Sequence, residues 1–143
     1  MRRAAAIGIV LALALVAGCA TRRPDEATPY AQMGGQDGVT AIVDDLLVKI
    51  SDDARINAKF ANANIVRLRE KLIEQICAEA GGPCVYTGLG MHEAHAGHGI
   101  GAADFNALVE DLIEVMEARR VPIGAQNRLL KRLAPMYGEV VGP

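Results

Sequence analysis

The sequence contains three histidines, and all of them lie in one short stretch. His92, His95 and His98 are spaced three residues apart beside a run of glycines. A neutral imidazole nitrogen is a common metal ligand, so the spacing is compatible with a metal site. Three exposed histidines on a turn rich in alanine and glycine would explain the same pattern. A zinc hydrolase is disfavoured, because the first pair is one residue short of the usual zinc-protease spacing.

Two cysteines form a second candidate pair. Cys77 and Cys84 lie seven residues apart, on either side of a Gly-Gly-Pro break. The spacing does not fix the geometry of a bridge, so a disulfide and two unpaired small apolar residues both stay open. A two-cysteine metal site is disfavoured, because a spacing of six residues between the cysteines is not usual for zinc.

The first residues of the chain are typical of a bacterial lipoprotein signal. A basic start precedes an apolar run over residues 4–17, and small residues then lead to Cys19. The run is shorter than the ~18–20 residues of a spanning helix. We predict that residues 1–18 are a signal peptide and that the Cys19 thiol is acylated after cleavage. The alternative is an ordinary secretory signal cut after Ala20.

The sequence after the signal divides into a tether and one domain. Residues 19–28 are polar and interrupted by proline, which predicts a tether, and residues 29–143 are long enough for an independent domain. Alanine rather than aspartate follows Cys19, which favours the outer membrane of a two-membrane cell. We therefore expect an exported, periplasm-facing protein that reaches its membrane through the Cys19 lipid.

The charge balance argues against nucleic-acid binding. Loss of Arg2 and Arg3 with the signal would leave 13 basic and 17 acidic side chains, a formal charge of −4. Binding of nucleic acid depends on clustered lysine and arginine that neutralise phosphates. The chain also has no tryptophan and only three tyrosines and two phenylalanines, so base-stacking platforms are not expected.

Apolar residues recur at steps of three and four through most of the domain, which is the period of helices. No segment alternates with the period of a strand. The pattern predicts an all-α fold with four substantial helices and some short ones. We expect helices capped by Asp37 and by Asn64, a short helix over 91–96, a long one opening at 101–104, and a last one kinked by Pro135.

A series of short motifs runs through the domain from about residue 30 to about residue 141. The motifs are Gly34-Gly35, Val43-Asp44-Asp45, Phe60, Arg67-Leu68, Gly81-Gly82-Pro83, Tyr86-Thr87-Gly88, Met91-x-x-Ala94-His95-x-Gly97-x-Gly99-Ile100, Asp104-Phe105, Val121-Pro122 and Ala134-Pro135. Each is weak alone, but their order and spacing together are specific. The order and spacing of these motifs resemble those of a group I truncated haemoglobin. The resemblance implies a two-over-two helical sandwich that encloses one haem b.

The resemblance also assigns residues to the haem. His95 matches the proximal ligand, whose neutral imidazole nitrogen binds iron. Phe60 matches a phenylalanine that packs against the ring. Lys71 matches a basic residue that can meet a haem propionate, although a solvated helix charge would also explain it. The other implied haem-pocket residues are Leu68, Leu72, Ile76, Tyr86, Met91, Ile100 and Phe105.

The gas-binding side departs from the family pattern. Family members often have Phe-Tyr where this chain has Leu46-Leu47, and glutamine where it has Leu72; the tyrosine donates a hydrogen bond to bound dioxygen. The expected distal pocket is apolar, and its residues are Leu47, Leu68, Leu72 and Ile76, with Gln75 as the one polar candidate. Such a hydrogen bond contributes roughly 1.5–3 kcal/mol. Its loss would speed dioxygen release on the order of ten- to a hundredfold.

We therefore predict a haem-binding globin that reversibly binds a diatomic gas (O2, NO or CO) at a five-coordinate iron. The apolar pocket suits sensing, delivery or nitric oxide handling better than storage, and no enzyme activity is expected. One alternative is a haem enzyme that dioxygenates nitric oxide or acts like a peroxidase, which would need an electron donor. Another is a haem-free, globin-like sensor or structural lipoprotein.

Overall fold

The computed structural model describes residues 27–142. Within this range every regular element is helical, which confirms the predicted all-α class. The helices are α1 (Pro29–Gln32), α2 (Gly35–Asp52), α3 (Ile65–Glu79), α4 (Met91–His95), α5 (Ala102–Ala118), α6 (Ile123–Leu133) and α7 (Tyr137–Val140), with 3₁₀ turns at Asn57–Phe60 and Ala134–Met136. The predicted signal peptide, the Cys19 acylation site and most of the tether lie outside the described residues.

The four long helices form the two layers of a helical sandwich. Helix α2 packs against α3 and α5, and α6 packs against α3, α5 and the short α1. The helical period of α2 predicts a buried stripe of Val39, Ile42, Val43, Leu46, Leu47 and Ile50. All of these residues are buried in the core except Leu47, which is half-buried and packs against it. Between residues 27 and 142 no helix combines the length and hydropathy needed to cross a bilayer.

The start of α2 differs from the prediction that Asp37 caps it. The helix begins at Gly35, and both Gly34 and Gly35 have positive φ angles, 94° and 68°. Glycine adopts this left-handed conformation without steric cost, so the chain can reverse directly after α1. Asp37 instead lies in the first helical turn, where its charge complements the positive end of the helix dipole.

The predicted start of α3 is confirmed. The Asn64 side chain accepts the backbone N–H of Arg67 at 3.0 Å, as an N-cap does. After the helix, Cys77 and Cys84 form a disulfide with a Cα–Cα distance of 5.7 Å, so the structure has the first of the two possibilities that their spacing left open. A Cβ on Gly82 would lie 2.7 Å from the sulfur of Cys77. The bridged turn therefore requires glycine there.

The C-terminal segment is broken rather than kinked at Pro135, so the prediction of one bent helix is wrong. Helix α6 ends at Leu133, and a 3₁₀ turn leads into the separate helix α7. Proline has no N–H for the carbonyl of Lys131, and its ring clashes with that carbonyl in a continuous helix. The break lets α7 pack against α4. It also places Tyr137 edge-on to the ring of Phe105, with centroids 5.0 Å apart.

Candidate functional site

A cavity of about 430 Å³ lies between α3, the segment around α4, and α5. Its lining is largely apolar and includes Ile50, Ile56, Phe60, Leu68, Leu72, Leu89, Met91, Ile100, Phe105, Leu108 and Val140. Four lining residues with a polar side chain are exposed to solvent, namely Lys59, Asn64, Arg67 and His98. The site is therefore an apolar slot that opens to solvent beside charged groups.

His95 lies on the wall of this cavity, at the end of α4. Its Nδ1 lies 2.7 Å from the backbone carbonyl oxygen of Met91, one helical turn earlier. A carbonyl oxygen can only accept a hydrogen bond, so in the neutral imidazole Nδ1 carries the proton and Nε2 keeps its lone pair. A hydrogen bond of this kind fixes the tautomer and the ring orientation of a metal-binding imidazole.

The structure separates the three histidines that the sequence groups together. His95 is half-buried, His98 is exposed at the cavity, and His92 is exposed and does not line it. No cluster of three histidine, cysteine, aspartate or glutamate side chains that could hold a metal ion occurs in residues 27–142. The arrangement offers one imidazole to the cavity wall beside a second at its opening, and no three-histidine site.

Most residues that the resemblance assigns to the haem do line the cavity. Beside His95, these are Phe60, Leu68, Lys71, Leu72, Tyr86, Met91, Ile100 and Phe105. Ile76 does not line the cavity, because its side chain is 3% exposed and belongs to the core with Cys77. The helical period explains this difference: Gln75, one residue earlier on α3, takes the place on the wall.

Leu47 lines a neighbouring cavity of about 450 Å³ instead of the one that contains His95. Ile50, Phe60 and Leu68 line both cavities and therefore stand between them. Leu47 was predicted to line the distal pocket, but these shared residues separate it from the cavity that contains His95. The part of that wall that α3 contributes consists of Leu68 and Leu72, with Gln75 further along the helix.

The Gln75 amide, which the sequence offers as a polar candidate for the distal side, is directed at two sulfur atoms. Its Nε2 lies 3.3 Å from Sδ of Met91 and 3.3 Å from Sδ of Met136. Thioether sulfur is a weak acceptor, so these bonds hold the side chain loosely. They nevertheless connect α3 to α4 and to the C-terminal 3₁₀ turn, and they give the N–H groups of Gln75 acceptors within the protein.

Lys71 lies on the cavity wall and is already paired. Its Nζ donates to the carboxylate of Glu74 at 2.9 and 3.0 Å and to the hydroxyl of Thr87 at 2.6 Å. Glu74 also accepts the backbone N–H and the hydroxyl of Thr87. The Lys71 ammonium first, and the two Thr87 donors next, lower the pKa of Glu74 to about 2. Lys71 is thus a positioned cation rather than a freely solvated one.

Two more cations at the cavity opening were not identified from the sequence. Lys59 donates to the carbonyl of Gly99 at 2.7 Å and lies 3.4 Å from the carboxylate of Asp104. The guanidinium of Arg67 lines the cavity and has no side-chain partner among the described residues. Its spacing of four residues from Lys71 was the available signal, since such residues share one face of a helix.

Tyr86 contributes its ring rather than its hydroxyl to the cavity. The hydroxyl donates to the carbonyl of Leu89 at 2.8 Å, within the same loop. Burial raises the pKa of the phenol, so the proton that makes this bond is firmly held. A Cβ on Gly88 would lie 2.2 Å from the phenol oxygen, so the loop can close over Tyr86 only because glycine is there.

The donor set and the shape of the cavity fit a haem. The apolar walls suit the ring, one imidazole with a free Nε2 suits the iron, and cations at the opening suit the propionates. A helical sandwich that holds such a cavity defines a haem-binding globin.

Comparison with known proteins gives the family. The model of the bacterial-like globin family matches residues 28–141. The group 1 truncated hemoglobin GlbN of Mycolicibacterium paratuberculosis is 29% identical over 119 residues, which cover 83% of this chain and 88% of that protein. The GlbN of Nostoc commune is 30% identical over 115 residues, 80% of this chain and 98% of that protein.

Solved structures agree. The crystal structure of truncated hemoglobin from Tetrahymena pyriformis in the Fe(III) form matches with a TM-score of 0.78 and 25% identity, covering 82% of this chain and 100% of that one. The chain belongs to the bacterial-like globin family and is a group I truncated globin with the two-on-two helical fold. As a member of this family it is a haem-binding globin.

Proposed function

We propose that this globin holds haem b through Nε2 of His95 and reversibly binds a diatomic gas beside Leu68 and Leu72. The bond from His95 to the Met91 carbonyl carries the proposal, because it leaves a lone pair on the imidazole nitrogen that faces no backbone acceptor. Haem supplies an iron at which O2, NO or CO can bind reversibly. The protein supplies the ligand, the dry walls and the cations.

The residues on the α3 wall support the proposal of a five-coordinate iron. The lining residues from this helix are Arg67, Leu68, Lys71, Leu72 and Gln75, and none is a histidine or a methionine. A lysine can donate to a metal only through a neutral, free amine, and the ammonium of Lys71 is held by Glu74 and Thr87. The distal position is therefore left open for a gas.

The same wall favours fast release of dioxygen. Leu68 and Leu72 carry no donor, the Gln75 amide is directed at two sulfurs, and the Tyr86 hydroxyl donates to Leu89. Dioxygen gains most from a hydrogen bond because it carries partial negative charge when bound, whereas carbon monoxide and nitric oxide gain little. We therefore propose gas binding for sensing, delivery or nitric oxide handling, not storage, and no catalytic role.

The ferrous absorption spectrum of the purified protein tests the role of His95. We expect a Soret band and a high-spin, five-coordinate spectrum after reduction with dithionite. His95→Ala should lose this spectrum, because no other imidazole is fixed on the wall. His92→Ala is the matched control and should keep it, since His92 does not line the cavity. The assignment is wrong if His95→Ala keeps the wild-type spectrum and His98→Ala loses it.

We also propose that the protein is exported and held on the outer membrane through a lipid on Cys19. The disulfide between Cys77 and Cys84 supports an oxidising compartment, where such bonds persist. In the native bacterium, Cys19→Ser should move the protein from the membrane fraction to the soluble periplasmic fraction and abolish incorporation of labelled palmitate. An unchanged membrane fraction in the variant would contradict lipid anchoring.

A further inference from the structure

Positive charge is concentrated in one segment of this acidic molecule. Residues 118–138 contain five arginine and lysine residues and no aspartate or glutamate. The remaining residues between 27 and 142 contain six basic and fifteen acidic side chains. The basic segment spans the end of α5, all of α6 and the following 3₁₀ turn.

Two of the five cations are neutralised by ion pairs. Arg119 pairs with Asp45 at 2.7 Å, and Arg132 pairs with Glu79 at 3.0 Å. These contacts fasten the basic segment to α2 and α3. They do not contribute free charge to the surface.

The other three cations have no acidic partner among the described residues. Arg128 and Lys131 are exposed on α6, three residues apart and therefore neighbours on the helix surface, and Arg120 is exposed in the turn that leads into α6. We call Arg120, Arg128 and Lys131 the basic face. None of its residues lines the haem cavity, so a partner bound there need not close the site.

The N-terminal end of the described chain lies against this face. The carbonyl of Ala27 accepts a hydrogen bond from Nη2 of Arg128 at 3.3 Å and another from Nε2 of Gln32 at 2.9 Å. Cys19 precedes Ala27 by eight residues, which span at most about 29 Å when fully extended. A lipid on Cys19 would therefore hold Arg128 within about 29 Å of the membrane surface.

We propose that the basic face docks on anionic lipid headgroups of the membrane to which Cys19 is anchored, which rests on the lipidation proposed above. Headgroup phosphates attract basic side chains near a membrane anchor, and the attraction acts within about one Debye length. The acidic remainder of the molecule is repelled by the same headgroups. Tether length and charge together give the globin one orientation, with α6 toward the membrane.

The reactivity of Lys131 toward an amine-acylating reagent, read by mass spectrometry, reports docking directly. The full-length protein is reconstituted on vesicles of phosphatidylcholine alone, or with about a third phosphatidylglycerol. At about 50 mM NaCl we expect anionic vesicles to slow labelling of Lys131 by about threefold or more, and about 500 mM NaCl to restore it. Labelling of Lys59, which lies outside the basic face, should not change.

Two variants with equal charge separate the face from net charge. Arg120→Asn with Arg128→Gln removes two cations of the face and keeps Lys131 as the reporter, and asparagine tolerates the φ of 57° at position 120. This variant should lose the protection. Arg55→Gln with Arg69→Gln removes two cations elsewhere and should keep it.

Equal labelling of Lys131 on neutral and anionic vesicles would overturn the proposal and favour an acidic protein as the partner. Equal loss of Lys131 protection in both double variants would show that only net charge matters, and this result would also overturn the proposal. If the full-length protein fails to float with neutral vesicles, the result would contradict the lipid anchor but not the docking of the basic face. The Lys131 comparison on anionic vesicles would still test the face in that case, since charge attraction does not need the lipid.

Discussion

The bond between His95 and the Met91 carbonyl is the contact that prepares the site at the scale of single residues. It selects one tautomer of a neutral imidazole that would otherwise exchange between two, and its acceptor, the carbonyl of Met91, lies one helical turn earlier. The resemblance to group I truncated haemoglobins predicted His95 as the iron ligand. Its partner could also have been inferred, since residues four apart meet on one side of a helix.

Asp111 is a buried acid that the gas-binding site does not use. Its side chain is 1% exposed, Oδ2 has no hydrogen-bond partner among the described residues, and Lys49 and Arg55 approach Oδ1 only to 3.7 and 3.8 Å. Burial first, and the nearby charge of Asp53 next, raise the pKa of this carboxyl above 3.8. The folded state therefore binds this proton more tightly than the unfolded state does.

The sign of the resulting pH effect follows from linkage. The free energy of unfolding falls as pH rises from about 4 through the raised pKa of Asp111, because folding then keeps a charge out of water. Asp111→Asn should raise the free energy of unfolding by about 1 kcal/mol at pH 7. The gain should shrink as the pH falls and vanish below about pH 3, where Asp111 is largely protonated in both states. Urea unfolding at the two pH values measures both effects.

Glu114→Gln is the control for this prediction. Glu114 pairs with the same Lys49 at 2.6 Å, but its side chain is 60% exposed, so its removal should change stability little. A lower stability of Asp111→Asn at pH 7 would show that Lys49 and Arg55 outweigh the burial of the carboxylate.

At the scale of elements, the segment between α3 and α4 forms one wall of the haem cavity without being a helix itself. The disulfide fixes its start, and the cluster of Lys71, Glu74 and Thr87 fixes its middle. Tyr86 lies between these two attachments. The wall therefore depends on cross-links more than on backbone hydrogen bonds.

Removal of the disulfide should test this dependence. A bridge that closes a loop of this size restricts the unfolded chain by about 2 kcal/mol. The double variant Cys77→Ala and Cys84→Ala should therefore have a lower Tm, and it should transfer haem to an apo-globin acceptor faster than the wild type. Reduction of the wild type should reproduce both effects and should not affect the variant. A lower Tm with an unchanged rate of haem transfer would show that the bridge does not shape the cavity.

Helical periodicity predicted the elements better than it predicted their junctions. The buried stripe of α2 and the Asn64 cap follow from local side-chain chemistry, and both are confirmed. Two junctions were wrong because glycine and proline act through backbone geometry. Gly34 and Gly35 move the start of α2 ahead of Asp37, and Pro135 ends α6 outright.

The sequence predicted which residues lie near the haem cavity better than it predicted how deeply each side chain is buried. A pattern identifies the inward side of a helix but not which layer each side chain reaches. Leu47 therefore lies behind Phe60 and Leu68 on a second cavity, and Ile76 is in the core. Lys59 and Arg67 were missed because an exposed cation is most simply explained as a solvated surface charge, and only the folded chain shows that both border the cavity.

At the scale of the whole molecule, charge and cavity are separated. The haem cavity lies between α3, α4 and α5, while the basic face lies on and beside α6. A globin docked through α6 would keep its gas site away from the headgroups. This arrangement suits a protein that exchanges a small ligand with its surroundings rather than one that stores it.

The rate of dioxygen dissociation tests the central claim that an apolar wall faces the gas. The rate is measured by stopped-flow spectroscopy on the wild type, on Leu72→Gln and on Gln75→Leu. We expect fast release from the wild type, and a Leu72→Gln variant slowed by on the order of tenfold, because its amide can donate to the bound gas. Gln75→Leu should change the rate little, since its amide is directed at Met91 and Met136. Slow release from the wild type that becomes on the order of tenfold faster in Gln75→Leu would contradict the account and make Gln75 the donor.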